Sequence, residues 1–339
     1  LIAVDEAGYG PRLGPLTIAA TVWHADSLPE DIDASFDAIT RPVVIDGVKV
    51  VVDDSKRVFK RKSGSSIGNA SLGGLERILK LAESATGESV TRLRDRLQIW
   101  MPKSIDDIQS TAWLQAMLDP DRSLTDHATD SSSIESALDG WRESPWRLKA
   151  VRTMLVTARR FNQFCAPGGT GNKSDLLSQS SLALAADCLS ALPIDQGEPI
   201  EMFFDRHGGR RYYAGAIGAA WSAPPLNSDQ PISVIEETRH CSRYQTSWRE
   251  SPIRLRFTVK GDRFAPVALA SLHAKWLREI AMASLNDYFE GLWNLHPLTS
   301  TKTFRPTAGY PVDADRFLDS IGPLLADSSI DIQDLVRCR

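Results

Sequence analysis

Residues Leu1–Leu16 read LIAVDEAGYGPRLGPL. Four apolar residues, Leu1 to Val4, lead into two adjacent carboxylates, Asp5 and Glu6. A glycine-rich turn, Gly8-Tyr9-Gly10-Pro11, follows, and then a second apolar run, Leu16–Trp23. The pattern predicts a buried strand, an acidic strand end, a tight turn and a return strand. Neighbouring side chains on a strand point to opposite faces. Asp5 and Glu6 therefore share one metal ion only where the strand ends and the backbone twists, which the following glycines permit. The rest of the chain is asked for partners to these two acids.

Composition sets the outer bounds. A chain of 339 residues with 42% hydrophobic content can build one large core or two domains. A formal net charge of −4 argues against binding nucleic acid by overall charge, so any such surface has to be a local patch. Cys165, Cys188, Cys241 and Cys338 show no CxxC spacing and read as free thiols in a reducing compartment. No apolar run reaches the roughly 18–20 residues of a membrane span, and no signal peptide is visible. The chain opens inside an apolar strand without methionine, so a few preceding residues are expected. A cytoplasmic enzyme acting as a monomer is the expectation.

Working outward, Val43–Val52 is β-rich with Asp46-Gly47 at its middle, a hairpin signal. The first third thus reads as a meander of strands beginning at Leu1. Ser63–Gly74 reads as a loop and Leu75–Ala82 as a helix. Residues 86–150 read as an inserted, partly helical segment. It carries Trp100, Trp113, Trp141 and Trp146 around a solvated loop at Asp119–Ser136. Ala150–Val156 is a strand candidate, Ala166–Asn172 a glycine loop, Ser180–Leu192 a helix and Ile200–Phe204 a short strand ending in Asp205. Ser233–Glu236 and Ile253–Val259 read as strands joined by an arginine-rich connection. Pro266–Phe289 is a long helix with proline in its first turn. A small C-terminal element, 295–339, holds one helix near Ala314–Leu325.

Two further acids repeat the opening geometry. Asp205 ends the apolar run IEMFF, and Asp262 follows IRLRFTVKG between a strand and the long helix. Strand ends that meet on one edge of an α/β sheet form the usual ligand crevice. Four carboxylates there suit hard cations such as Mg2+ or Mn2+; acids at strand ends are also common on ordinary surfaces. Two such ions roughly 3.5–4 Å apart activate water and stabilise the leaving oxygen of a phosphodiester.

These residues also carry a family resemblance. VDEAGYGPRLGPL (Val4–Leu16) resembles the opening motif of type 2 ribonucleases H (ribonuclease HII), usually DEAGRGPLAGP. DDSKR (Asp53–Arg57) resembles the family's DSKK element, and FFDRHGGR (Phe203–Arg210) its strand ending in aspartate and glycine. VKGDRFAPVALASLHAKWLRE (Val259–Glu279) is similar to its KGD…AASIIAKVTRD stretch, and AGYPVD (Ala308–Asp313) to its GYPT element. The five motifs occur in family order over about half the chain; residues 86–150 and much of 212–250 have no counterpart.

The resemblance implies an α/β ribonuclease H-like fold, a mixed central sheet flanked by helices. Residues 1–294 would form the catalytic domain, with the insertion inside it. It implies metal-dependent hydrolysis of the RNA strand of RNA/DNA hybrids, or incision of DNA at embedded ribonucleotides. Carried over by position, Asp5, Glu6, Asp205 and Asp262 hold two Mg2+ or Mn2+ ions, and Gly8, Tyr9, Gly10 and Tyr310 face the ribose. Asp54, Ser55 and Lys56 contact substrate, and Ser271 and Lys275 hold phosphates. Ser271, Lys275 and Arg278 share one helix face, and Ala268, Ala270 and Ala274 allow close packing on the sheet. Lys56, Arg57, Lys60, Arg61 and Lys62 form a basic cluster. Arg239, Arg243, Arg249, Arg254, Arg256 and Arg263 extend it, with Tyr244 and Trp248 either stacking on bases or buried.

The chain departs from the family pattern at Tyr9, where an arginine is usual, which removes a phosphate clamp. Glu279 replaces an aspartate. His207, after Asp205, is a candidate for proton transfer against a structural role. Three other readings stand beside the ribonuclease: a related nuclease for structured DNA, a non-catalytic nucleic-acid-binding protein, and a small-molecule phosphohydrolase with a deep pocket.

Overall fold

The structure, a computed structural model, describes residues 1–58, 72–88, 90–122, 130–193, 197–299, 303–326 and 330–338. Its strands in chain order are β1 (Ile2–Ala7), β2 (Leu16–His24), β3 (Val43–Ile45), β4 (Val48–Val50), β5 (Arg147–Val156), β6 (Ile200–Asp205), β7 (Ser233–Glu237), β8 (Cys241–Trp248) and β9 (Ser251–Thr258). Seven of them make one sheet in the order β5-β2-β1-β6-β9-β8-β7. β1, β6 and β9 run parallel, and the remaining pairs are antiparallel. This is the expected mixed α/β sheet.

The sheet is covered on both faces, which is why β1 and β2 are apolar on both. Ile2, Val4, Ile18, Ala20 and Phe204 join the helix Lys173–Ala191 in one core. Ala19 meets Ala270 and Ala274 of the long helix Ala265–Leu295 on the other. These small side chains let helix and sheet approach, as expected. Thr17 Oγ1 donates to the Ala274 carbonyl at 2.9 Å and Thr21 Oγ1 to that of Pro266 at 2.9 Å. Leu269, Leu272 and Leu277 are fully buried, each contributing about 1.5–3 kcal/mol.

Several local expectations change. β3 and β4 form the Asp46-Gly47 hairpin but make a separate two-stranded sheet. The first third is therefore no meander: β2's outer neighbour is β5, supplied more than a hundred residues later. The arginine-rich connection is itself a strand, β8, because its alternation buries Tyr244, Thr246 and Trp248. Ser131–Ser136 lie in the helix Ser131–Arg142, capped by Asp130, rather than in the solvated loop. Gly73 and Gly74 open the helix Gly73–Thr86, whereas most of the loop expected at Ser63–Gly74 lies outside the described residues. Trp100, Trp113, Trp141 and Trp146 are buried in the core that the long helix shares. Arg96 joins the two regions. It pairs with buried Glu83, and its guanidinium lies 5.1 Å from the Trp100 ring centre and 4.8 Å from that of Trp276. The helix near 314–325 spans Pro311–Ala326.

Candidate metal centre and nucleic-acid interface

The parallel register builds the site. Val4 lies opposite Phe204, so the next residues, Asp5 and Asp205, stand side by side on adjacent strands. Ala3 and Phe203 face the long helix, and strand alternation sends Asp5 and Asp205 to that same face. β9 ends at Thr258 beside Asp205. Lys260 then takes a left-handed conformation (φ 60°) and starts the single turn Gly261–Arg263. Gly261 N–H donates to Asp205 Oδ1 at 2.7 Å, which sets Asp262 next to the strand end.

The ladder between β1 and β2 continues to Ala7 opposite Thr17. Asp5 and Glu6 thus sit inside a regular strand, not past its end, and alternation turns them to opposite faces. Among the described residues no three His, Cys, Asp or Glu side chains are gathered closely enough to hold one ion. Asp5 is nonetheless electrostatically crowded. Burial, then the charges of Glu6 and Asp205, raise its pKa well above the usual carboxylate range, while a hydrogen bond from Ser271 acts the other way. Carboxylate oxygens are the donor type that suits a hard divalent cation, and Asp5 and Asp205 are the two brought to one face.

Ser271, on the long helix, ties two predicted elements together. Besides its bond to Asp5, its Oγ lies 3.3 Å from Ser55 Oγ. Ser55 opens the short helix Ser55–Val58, on which Lys56 also lies, directly after half-buried Asp54. Arg57 is exposed and pairs with Asp53 at 2.8 Å. Lys60, Arg61 and Lys62 lie outside the described residues. Lys275 pairs with Glu279 at 2.6 Å. Arg278 does not join a solvated stripe with it: Arg278 is buried, and its Nη2 donates to the Ala308 carbonyl at 3.0 Å.

The opening turn and the AGYP element are built against each other. The Gly309 carbonyl accepts from Arg12 N (2.8 Å) and Leu13 N (3.2 Å). Tyr310 is 53% exposed beside this junction, its ring centre 5.9 Å from the Arg278 guanidinium. Gly8 has φ 86° and no room for a Cβ, which would lie 2.6 Å from Arg278 Nε and 2.7 Å from the Pro15 carbonyl. Gly10 has open space around it. Tyr9 leans onto Gly208, with Lys173 Nζ 5.3 Å from its ring centre. Burial, then the charge of Glu6, raises its pKa.

Three alternatives left open by the sequence are decided here. His207 is 2% exposed, its Nδ1 3.1 Å from Ser178 Oγ, and burial followed by the charge of Arg210 lowers its pKa to about 3. Packed among Phe204, Tyr213 and Phe257, it has the surroundings of a neutral core histidine. Tyr244 and Trp248 are buried and present no ring to a base. The arginines of β8 and β9 are met by acids: Arg243 by Glu236, Arg254 by Glu201 and Arg256 by Asp33. Their surface is not a bare basic patch.

One contributor escaped sequence reasoning. Arg337 donates from Nη1 to the Gly8 carbonyl at 2.7 Å. It belongs to none of the motifs, and nothing in its spacing marked it. A cavity of about 680 Å³ lies at the opposite end of the sheet, lined by Leu1, Ile2 and Ile200 at the starts of β1 and β6, and it contains none of the four acids. This cavity does not coincide with the four acids, so it lends the small-molecule phosphohydrolase reading no support. No described helix is long and apolar enough to cross a membrane.

No family model and no curated protein matches the sequence. Solved structures similar to the chain include Archaeoglobus fulgidus RNase HII from its PCNA complex, with 14% identity over 100% of this chain and 93% of that one, TM-score 0.43. Ribonuclease H2 from Pyrococcus horikoshii OT3 shows 14% identity over 99% and 92%, TM-score 0.45. Bst-RNase HIII in complex with Mn2+ shows 10% identity over 99% and 65%, TM-score 0.36. At this similarity the three bear on neither the site nor its chemistry, which rest on this chain's own residues.

Proposed function

We propose that the chain is a metal-dependent endonuclease of the type 2 ribonuclease H class, acting on RNA/DNA hybrids or on ribonucleotides embedded in duplex DNA. The observation that carries this reading is the pairing of Asp5 with Asp205 on one sheet face. Asp262 follows on the next turn, and Ser271 lies beside Asp5 and links it to Ser55. Asp5, Glu6, Asp205 and Asp262 are assigned to Mg2+ or Mn2+, which when bound supplies an activated water and stabilises the leaving oxygen. Glu6 is the member that has to turn toward the others.

The chain's own groups do the positioning. Ser271 stands beside Asp5 and favours its ionised form, while its hydroxyl bonds Ser55. Gly261 N–H holds Asp205. Gly8, Tyr9 and Gly10, locked to the segment carrying Tyr310, face the ribose, whose 2′-hydroxyl distinguishes RNA from DNA. Asp54, Ser55 and Lys56 are assigned to substrate contact, and Lys275 to a phosphate.

The test supplies Mg2+ or Mn2+ and three labelled duplexes: an RNA/DNA hybrid, DNA with one ribonucleotide, and plain DNA. Cleavage of the first or second, lost in Asp5→Asn and Asp205→Asn, is expected. Cleavage of none, or equal cleavage by the variants, refutes the catalytic assignment. Preference for plain DNA transfers the same metal chemistry to a nuclease for structured DNA, the reading that Tyr9 in place of arginine favours.

A further inference from the structure

Arg337 holds the opening turn from behind. The residue is 2% exposed, and its guanidinium lies 5.2 Å from the Phe161 ring centre. Apart from the bond to the Gly8 carbonyl, its Nε and Nη2 have no hydrogen-bond partner among the described residues. Burial, then the like charge of Arg278, pulls its pKa down to about 9, so it stays protonated at neutral pH. A buried cation with two unpartnered nitrogens beside a second cation is costly as mere architecture.

The segment carrying Arg337 is deliberately anchored. Arg337 N–H donates to the Arg12 carbonyl at 2.9 Å, and Val336 bridges Leu13. Asn162 fastens the other side: its Nδ2 donates to the carbonyls of Gln333 and Val336 at 2.9 and 2.8 Å, and its Oδ1 accepts from Cys338 N at 2.7 Å. The turn is thus clamped by the C-terminal segment, and position 9 itself supplies no charge.

We infer that Arg337 is a positioning residue for substrate: it fixes the Gly8 carbonyl and places positive potential behind the Gly8–Gly10 turn, which then takes the phosphodiester of a ribose-containing strand. This rests on the nuclease reading above. The field of a buried guanidinium acts through low-dielectric protein and is screened little by salt. The hydrogen bond, by contrast, sets the backbone that meets the ribose.

The experiment uses the full chain for cleavage and its Asp205→Asn form for equilibrium binding. The probes are a labelled RNA/DNA hybrid and a DNA duplex of the same sequence. Arg337→Met is expected to weaken hybrid binding and raise its KM about tenfold, with kcat changed by less than about twofold and DNA binding by about threefold or less. Arg337→Lys, which restores the charge, is expected to recover most of the loss. Thermal unfolding checks that the variants fold. If Arg337→Met does not, Asn162→Ala, which loosens the segment while keeping the arginine, has to show the same selective loss. Equal loss on both duplexes, or an unchanged hybrid KM in a folded variant, overturns the inference alone. A wild-type chain that neither binds nor cleaves the hybrid overturns the nuclease reading and this inference with it.

Discussion

Replacing Gly309 by alanine tests whether the AGYP element and the opening turn are one mechanical unit. Gly309 has φ 82°, and its added Cβ would lie 2.5 Å from the Leu13 carbonyl oxygen and 3.1 Å from its carbon. Both are backbone atoms of the opening turn, and Arg12 and Leu13 are bonded to Gly309's own carbonyl. The clash cannot be relieved by a side-chain rotation. The left-handed conformation alone costs an alanine about 1–2 kcal/mol, and overpacking against fixed atoms adds about 1–3. The sum is roughly 2–5 kcal/mol. For a chain of this length the unfolding entropy is roughly 0.7 kcal/mol per degree, so Tm should fall by about 3–7 °C. Gly209 supplies the control: it has φ 84° but nothing within 4 Å of an added Cβ. Gly209→Ala carries the conformational cost only and should lower Tm by about 1–3 °C. Circular dichroism melts of the two variants separate the clash from the backbone effect. Hybrid cleavage should suffer more in Gly309→Ala, since Tyr310 and the turn move together. A Gly309→Ala melt within about one degree of the Gly209→Ala melt would refute the reasoning.

Two further outcomes follow from the buried titratable groups. In EDTA, Asp5→Asn should melt higher than wild type at neutral pH. Asp5's folded pKa is raised, so ionising it destabilises the fold; that penalty is absent below its unfolded value near 3.8, grows as pH rises through it and is complete above the folded value. The gap should therefore close toward about pH 4, and Mn2+ should raise the wild-type Tm more than the variant's; melts that coincide at neutral pH sink the charge-crowding argument. His207→Gln should lower stability by about 1–3 kcal/mol through a disturbed core, yet leave the shape of the cleavage pH profile unchanged between about pH 6 and 9. A lost ionisation in that range would restore His207 as a proton carrier.

How much of this was legible beforehand varies with the range of the signal. The apolar runs ending in Asp5 and Asp205, the turn glycines, the Asp46-Gly47 hairpin and the long helix behind Pro266 are local patterns, and each formed near its expected bounds. β8 was misread because exposed Arg243 and Gln245, with Arg239 and Arg249 on either side, look like a linker until the partner strands supply burial for Tyr244 and Trp248. His207 was ambiguous for the same reason. Only its surroundings, Phe204, Tyr213 and Phe257, decide that it is neutral.

The sequence by itself determined which residue types are available: four carboxylates at strand and turn positions, two glycines bracketing Tyr9, and a serine on the helix that follows the last acid. Side-chain period and turn chemistry are properties of neighbours along the chain, so they can be read there. Tertiary structure decided who meets whom. The parallel register sets Asp5 beside Asp205, while the unbroken ladder to Ala7 keeps Glu6 on the other face. Ser271 reaches both Asp5 and Ser55 across more than two hundred residues. Arg337 arrives at Gly8 from the far end of the chain. Such pairings depend on strand register and on how buried charges find partners, and neither is written in any local stretch of sequence.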